Sequence, residues 1–137
     1  MKALRYAGGV IAGLIVAFAL VAGAEGIVHV LYPPPSGTNM DDFEQVKKFV
    51  AALPVPAYFL VLTGWLIGTF VATWLAAKIA RSPIAGYIVG LILLALGAFN
   101  AIKIPQPMWF SIASFVIYIG ATIVGARAGA KTSATPA

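Results

Sequence analysis

A chain of 137 residues that is 61% hydrophobic and only 9% charged cannot cover a water-facing surface, because soluble domains carry about a quarter charged residues. The mean hydropathy of +0.98 excludes an ordinary soluble domain, and the length allows one helical membrane bundle and no second sizeable domain. The absence of cysteine excludes disulfides and thiolate metal sites, and the net charge of +5 is gathered in small groups at the ends of apolar runs. That pattern signals membrane orientation and phospholipid contact, not nucleic-acid binding.

Four apolar runs follow one another at 4–31, 56–77, 84–102 and 108–126. Each is long enough to cross a hydrocarbon core of about 30 Å as a helix. Period-2 alternation is absent, and an open sheet cannot satisfy its backbone in lipid. The fold class expected is therefore an all-α membrane protein, a four-transmembrane-helix bundle forming a single domain over 1–131. The first run has a basic start at Lys2 and Arg5 and a small-residue stretch at Ala22-Gly23-Ala24. It continues through Ile27, Val28 and Val30, further than a cleaved signal segment, so it reads as a retained helix. Lys2, Arg5, Lys78, Arg81, Arg127 and Lys131 fall on one side, and Lys47, Lys48 and Lys103 on the other. This excess predicts cytoplasmic termini.

The first run stops at Tyr32-Pro33-Pro34-Pro35, where prolines cannot continue a helix. Asp41-Asp42-Phe43-Glu44 has the Asp-x-x-Glu form of a capping box, and Phe43, Val46, Val50 and Leu53 recur at helical steps. The spacing predicts a short amphipathic helix over about 41–53, lying on the external membrane surface. The last residues, 132–137, are small and polar and are expected to be disordered.

Small residues mark the faces expected to pack. Gly64 and Gly68 lead into Ala72 and Ala76; Gly86, Gly90 and Gly97 share one face of the third run; Gly125 lies on the fourth. Tyr32, Tyr58, Trp109 and Phe110 fall at the external ends of the runs, where interface aromatics anchor.

Glu25 is the one acid within an apolar run, and Asp41, Asp42 and Glu44 lie in the first loop. An ionisable group inside a span is costly and marks a candidate site. His29 stands four residues on, hence on the same helix face. Glu25 falls about 9 Å below the external end of its span, at 1.5 Å per residue. Thr63, Asn100, Ser111 and Ser114 reach comparable depths, with Lys103 just above Asn100. Three readings stay open: a structural tie from Glu25 to His29, Asn100 or Lys103; a ligand or proton site; and a metal site. Glu25 and His29 supply only two ligands, the chain has no second histidine, and a catalytic zinc takes three from the protein, so no metal and no cofactor is expected. No phosphate loop, nucleophile elbow or His-Glu-x-x-His is present.

The loop Pro33-Pro34-Pro35-Ser36-Gly37-Thr38-Asn39-Met40-Asp41, the turn Ile104-Pro105-Gln106-Pro107-Met108-Trp109-Phe110 and the run Gly64-Trp65-Leu66-Ile67-Gly68 resemble those of a family of small, functionally uncharacterised four-span proteins of bacterial inner membranes. The resemblance implies that location and architecture, and no catalytic residue. Four short spans with a carboxylate in the first are also similar in shape to small multidrug transporters. Glu25 would there take the coupling role, although it lies near a span end and the first loop is long. The expected function is that of a non-enzymatic membrane protein, an oligomer or accessory subunit packing through its Gly/Ala faces against a second copy or other membrane proteins. The alternatives are a proton-coupled transporter using Glu25 and an enzyme using Glu25 and His29 on a lipid-like substrate.

Overall fold

The computed structural model describes residues 2–104 and 106–134. They form α1 (Lys2–Leu31), α2 (Phe43–Ala51), α3 (Val55–Ala80), α4 (Pro83–Lys103) and α5 (Met108–Ala134), with no strand among the described residues. All of these except α2 are long and apolar enough to cross a membrane. The chain is an all-α bundle, a small multi-span membrane protein.

Local chemistry sets the helix ends. The Tyr32 amide donates to the Val28 carbonyl at 2.7 Å before the prolines halt α1. Pro54 caps α3, and Pro56 sits in its first turn, where a missing N–H costs nothing. Between α3 and α4 the chain turns on two residues. Arg81 takes a left-handed φ of 57°, the Ser82 amide closes on the Ala77 carbonyl at 3.1 Å, and the Ser82 hydroxyl accepts from the Ile84 amide at 3.2 Å. The fourth span runs further than its apolar stretch, since α5 continues to Ala134 with the Thr132 hydroxyl bonded to the Ala128 carbonyl at 2.8 Å. Within the stretch expected to be disordered, the described helix takes in 132–134, and 135–137 lie outside the described residues.

Helix α3 is the hub, packed against α1, α4 and α5. Its antiparallel seam with α1 is made of small residues. A Cβ placed on Gly9 would lie 2.7 Å from the Ala76 carbonyl oxygen, and one on Gly13 2.8 Å from that of Ala72. Further along, Val21 lies over Gly68 and Ala24 against Gly64. On the other flank α5 runs parallel to α3. Gly125 meets Thr73 and the Phe70 carbonyl, and Gly129 meets the Trp74 carbonyl. Helix α4 closes the ring: Gly86 touches Ala126 and the Thr73 carbonyl, Gly90 touches Thr122, and Gly97 touches the Tyr118 ring. Gly64, Gly68, Gly86, Gly90, Gly97 and Gly125 are therefore filled by the chain's own helices. The faces expected to serve a partner subunit are occupied within one molecule.

Gly64→Ala is expected to push α1 off α3 at Ala24 and to cost about 1–3 kcal/mol, read as a lowered unfolding midpoint in detergent. Adding Ala24→Gly should restore most of the loss. Gly23→Ala, where a Cβ meets nothing within 4 Å, should be close to neutral. Equal losses at Gly64 and Gly23 would contradict the seam.

Candidate functional site

The small-residue seam between α1 and α3 ends at Ala24 and Gly64. One turn beyond, at the α2 end of the bundle, the facing residues become large, and the helices part around a cavity of about 270 Å³. Glu25, Val28 and His29 line it from α1; Tyr58, Val61 and Trp65 from α3; Asn100 from α4; and Phe110 from α5. Val46, Phe49 and Val50 of α2 form the roof, and Met40, Leu53, Ile104 and Gln106 complete the rim.

The roof is held by its cap and by two contacts to the walls. Asp42 is the N-cap, its Oδ1 accepting from the Glu44 amide at 3.0 Å. Gln45 Nε2 donates to Asp42 Oδ2 at 3.2 Å, while Gln45 Oε1 accepts from the Asn39 amide at 2.6 Å. The cap thus falls one residue later than the Asp41-to-Glu44 box expected from sequence, because the Asp41 amide is committed to Asn39 Oδ1 at 3.0 Å. The buried face shifts as well. Phe43 is 57% exposed, whereas Phe49 is 8% exposed. The inward stripe is Val46, Phe49, Val50 and Leu53, and it closes the bundle mouth. Tyr58 Oη donates to the Val50 carbonyl at 2.6 Å, and the Phe49 ring rests 5.7 Å from that of His29.

Glu25 and His29 share the pocket wall, and no side-chain bond joins them. His29 Nδ1 lies 2.8 Å from the backbone carbonyl of Glu25. A carbonyl only accepts, so Nδ1 carries the proton and, in the neutral ring, Nε2 holds a lone pair. Among the described residues no hydrogen bond or ion pair reaches the Glu25 carboxylate. Asn100 reaches the pocket, as its place on the glycine face of α4 suggests. Lys103 does not: it is exposed, with its ammonium 5.6 Å from the centre of the Phe99 ring. Thr63 is exposed and donates to the Phe59 carbonyl at 2.8 Å. Ser111 and Ser114 stand behind the wall. Gln106 Nε2 donates to Ser111 Oγ at 2.9 Å, and Ser114 Oγ donates to the Ser111 carbonyl at 2.8 Å. Glu25 and His29 gain no third metal-ligating side chain among the described residues.

The expected interface anchors divide. Trp109 is 41% exposed and Tyr32 half-buried, but Tyr58 and Phe110 are only 5% and 3% exposed. These two line the pocket, packed by ring contacts with each other and with Trp65. Tyr58 and Phe110 lie 4.9 Å apart, and Phe110 and Trp65 5.3 Å apart. Sequence reasoning missed Trp65, Phe49 and Gln106. Trp65 had a legible signal, standing two helical turns after Tyr58 with Val61 between them on the same face.

Fold and site together define a small multi-span membrane protein with a roofed, aromatic-walled pocket, whose carboxylate has no hydrogen-bond or ion-pair partner among the described residues. No protein family, curated protein or solved structure matches the chain.

Tyr58→Phe removes the hydroxyl that holds the end of α2. It should speed amide hydrogen exchange in α2 while lowering bundle stability by only about 0.5–1.5 kcal/mol. Unchanged exchange in α2 would show that the roof does not depend on this bond.

Proposed function

We propose that this chain is a non-enzymatic binding protein of the bacterial inner membrane that takes an amphiphilic molecule into its pocket from the external side. The observation that carries the reading is the pocket itself: apolar and aromatic walls with a few converging polar groups, the usual character of a ligand site. The excess of Lys and Arg at the terminal end supports cytoplasmic termini and an external pocket. The resemblance of the first loop and the α4–α5 turn to small bacterial inner-membrane proteins supports the location.

Two features favour binding over transport or catalysis. The lining stops at Glu25, Trp65 and Phe110, and below it the small-residue seams close the helices together. No activated nucleophile faces the carboxylate, since the Tyr58 hydroxyl donates to the Val50 carbonyl and His29 Nδ1 is engaged by backbone. A cavity of about 270 Å³ lies near the small end of ligand pockets, which span roughly 300–1,000 Å³. It suits one chain with a compact head group, not a two-chain lipid. The accessory-subunit reading relied on glycine faces that the chain fills itself.

A single-chain alkyl alcohol bearing a photoreactive diazirine tests this with the full chain in phosphatidylcholine nanodiscs. Labelling of Val28, Val46, Phe49 and Val61 should saturate with probe, and Val61→Trp, which fills the cavity, should abolish the saturable part. Labelling that rises linearly and is indifferent to Val61→Trp would overturn the reading.

A further inference from the structure

Building on that reading of the pocket, we propose that its ligand carries an alkylammonium head group, which binds at Glu25. Four observations converge on this chemistry. First, Glu25 is the one charged side chain in the lining, and none of the nine Lys and Arg residues reaches it. Second, Glu25 is exposed at the pocket wall, and no hydrogen bond or ion pair reaches its carboxylate among the described residues, so it is free to take a partner from outside the chain. An entering cation supplies the missing partner, whereas a neutral head group leaves the charge unpaired and an anionic one repels it.

Third, the aromatic rings Tyr58, Trp65 and Phe110 line the same cavity at mutual separations of 4.9 and 5.3 Å. Ring faces attract cations. Two of the protein's own ammonium groups rest on other rings, Lys103 over Phe99 at 5.6 Å and Lys78 over Trp74 at 4.7 Å. Fourth, the His29 ring, in its neutral form, adds an acceptor at Nε2, with its Nδ1 proton used on backbone. Acceptors at Glu25 and His29 favour a head group that has N–H donors, so a primary or secondary amine suits the site better than a quaternary one. The pocket volume favours a free single-chain amine over the ammonium of an aminophospholipid, although the two share one chemistry.

The test displaces the photoreactive alcohol with dodecylamine, dodecanol or dodecanoate, compared at equal concentration in phosphatidylcholine nanodiscs. Dodecylamine should displace about tenfold or more better than dodecanol, the gain of a charge-assisted hydrogen bond, and dodecanoate should be weakest. Glu25→Gln should erase the advantage of the amine and leave dodecanol unchanged, while Asp41→Asn in the first loop should alter neither. Equal displacement by amine and alcohol, or an advantage that survives Glu25→Gln, would overturn the ammonium assignment and leave the pocket reading standing. Absence of saturable displacement by any of the three would remove both. Exchanging part of the lipid for phosphatidylethanolamine separates the sources: unchanged displacement by dodecylamine identifies a free amine, and weakened displacement identifies the ammonium of the leaflet's own lipid.

Discussion

Helices in lipid gain little from hiding apolar surface from one another, so the whole bundle depends on how closely their backbones approach. Here that approach is made on α3. Gly64, Gly68, Ala72 and Ala76 meet α1, and Gly125 and Gly129 bring α5 against the opposite flank near Thr73 and Trp74. The seam is asymmetric along its length. Small residues fill the end that carries both termini, and Tyr58, Val61, Trp65, Phe110 and Tyr118 fill the other. Helices that are pinned together at one end and propped by aromatic side chains at the other must diverge. The pocket follows from that gradient in side-chain size and needs no bend in any helix.

The divergence also explains why α2 packs where it does. An open bundle mouth lined by Val28, Val61 and Phe110 needs a cover, and the stripe of Val46, Phe49 and Val50 supplies one. The roof is attached lightly, by the Tyr58 hydroxyl and by the His29 and Phe49 rings. Elements with few buried contacts open at low free-energy cost. A ligand could enter past α2 without disturbing the small-residue seams below.

The four spans were legible in the sequence because apolar length alone settles them. That Glu25, His29 and Asn100 meet at one level of the bundle followed from helical rise. What could not be read was the partner of each polar group. Spacing puts His29 on the face of Glu25, but whether the ring bonds a carboxylate or a carbonyl depends on a rotamer. Lys103 sits one turn from Asn100 and still leaves the site, since its ammonium lies over the exposed Phe99 ring. The aromatics carried a related ambiguity. Position near a span end is common to anchors and pocket walls, and only the packing of α4 and α5 separates exposed Trp109 from buried Phe110. The glycine faces carried the same ambiguity, because small residues serve contacts within a chain and between chains alike.

The central claim is that the carboxylate of Glu25 is the polar anchor of this pocket. Solid-state dipolar recoupling between ¹⁵N-dodecylamine and ¹³C-labelled side-chain carboxyls, in the full chain in bilayers, measures that directly. The account predicts a nitrogen-to-carbon separation of about 3–4 Å, that of a direct ammonium–carboxylate hydrogen bond, assigned to Glu25 by its loss in Glu25→Gln. Coupling confined to Asp41, Asp42 or Glu44, or none to any carboxyl, would contradict it.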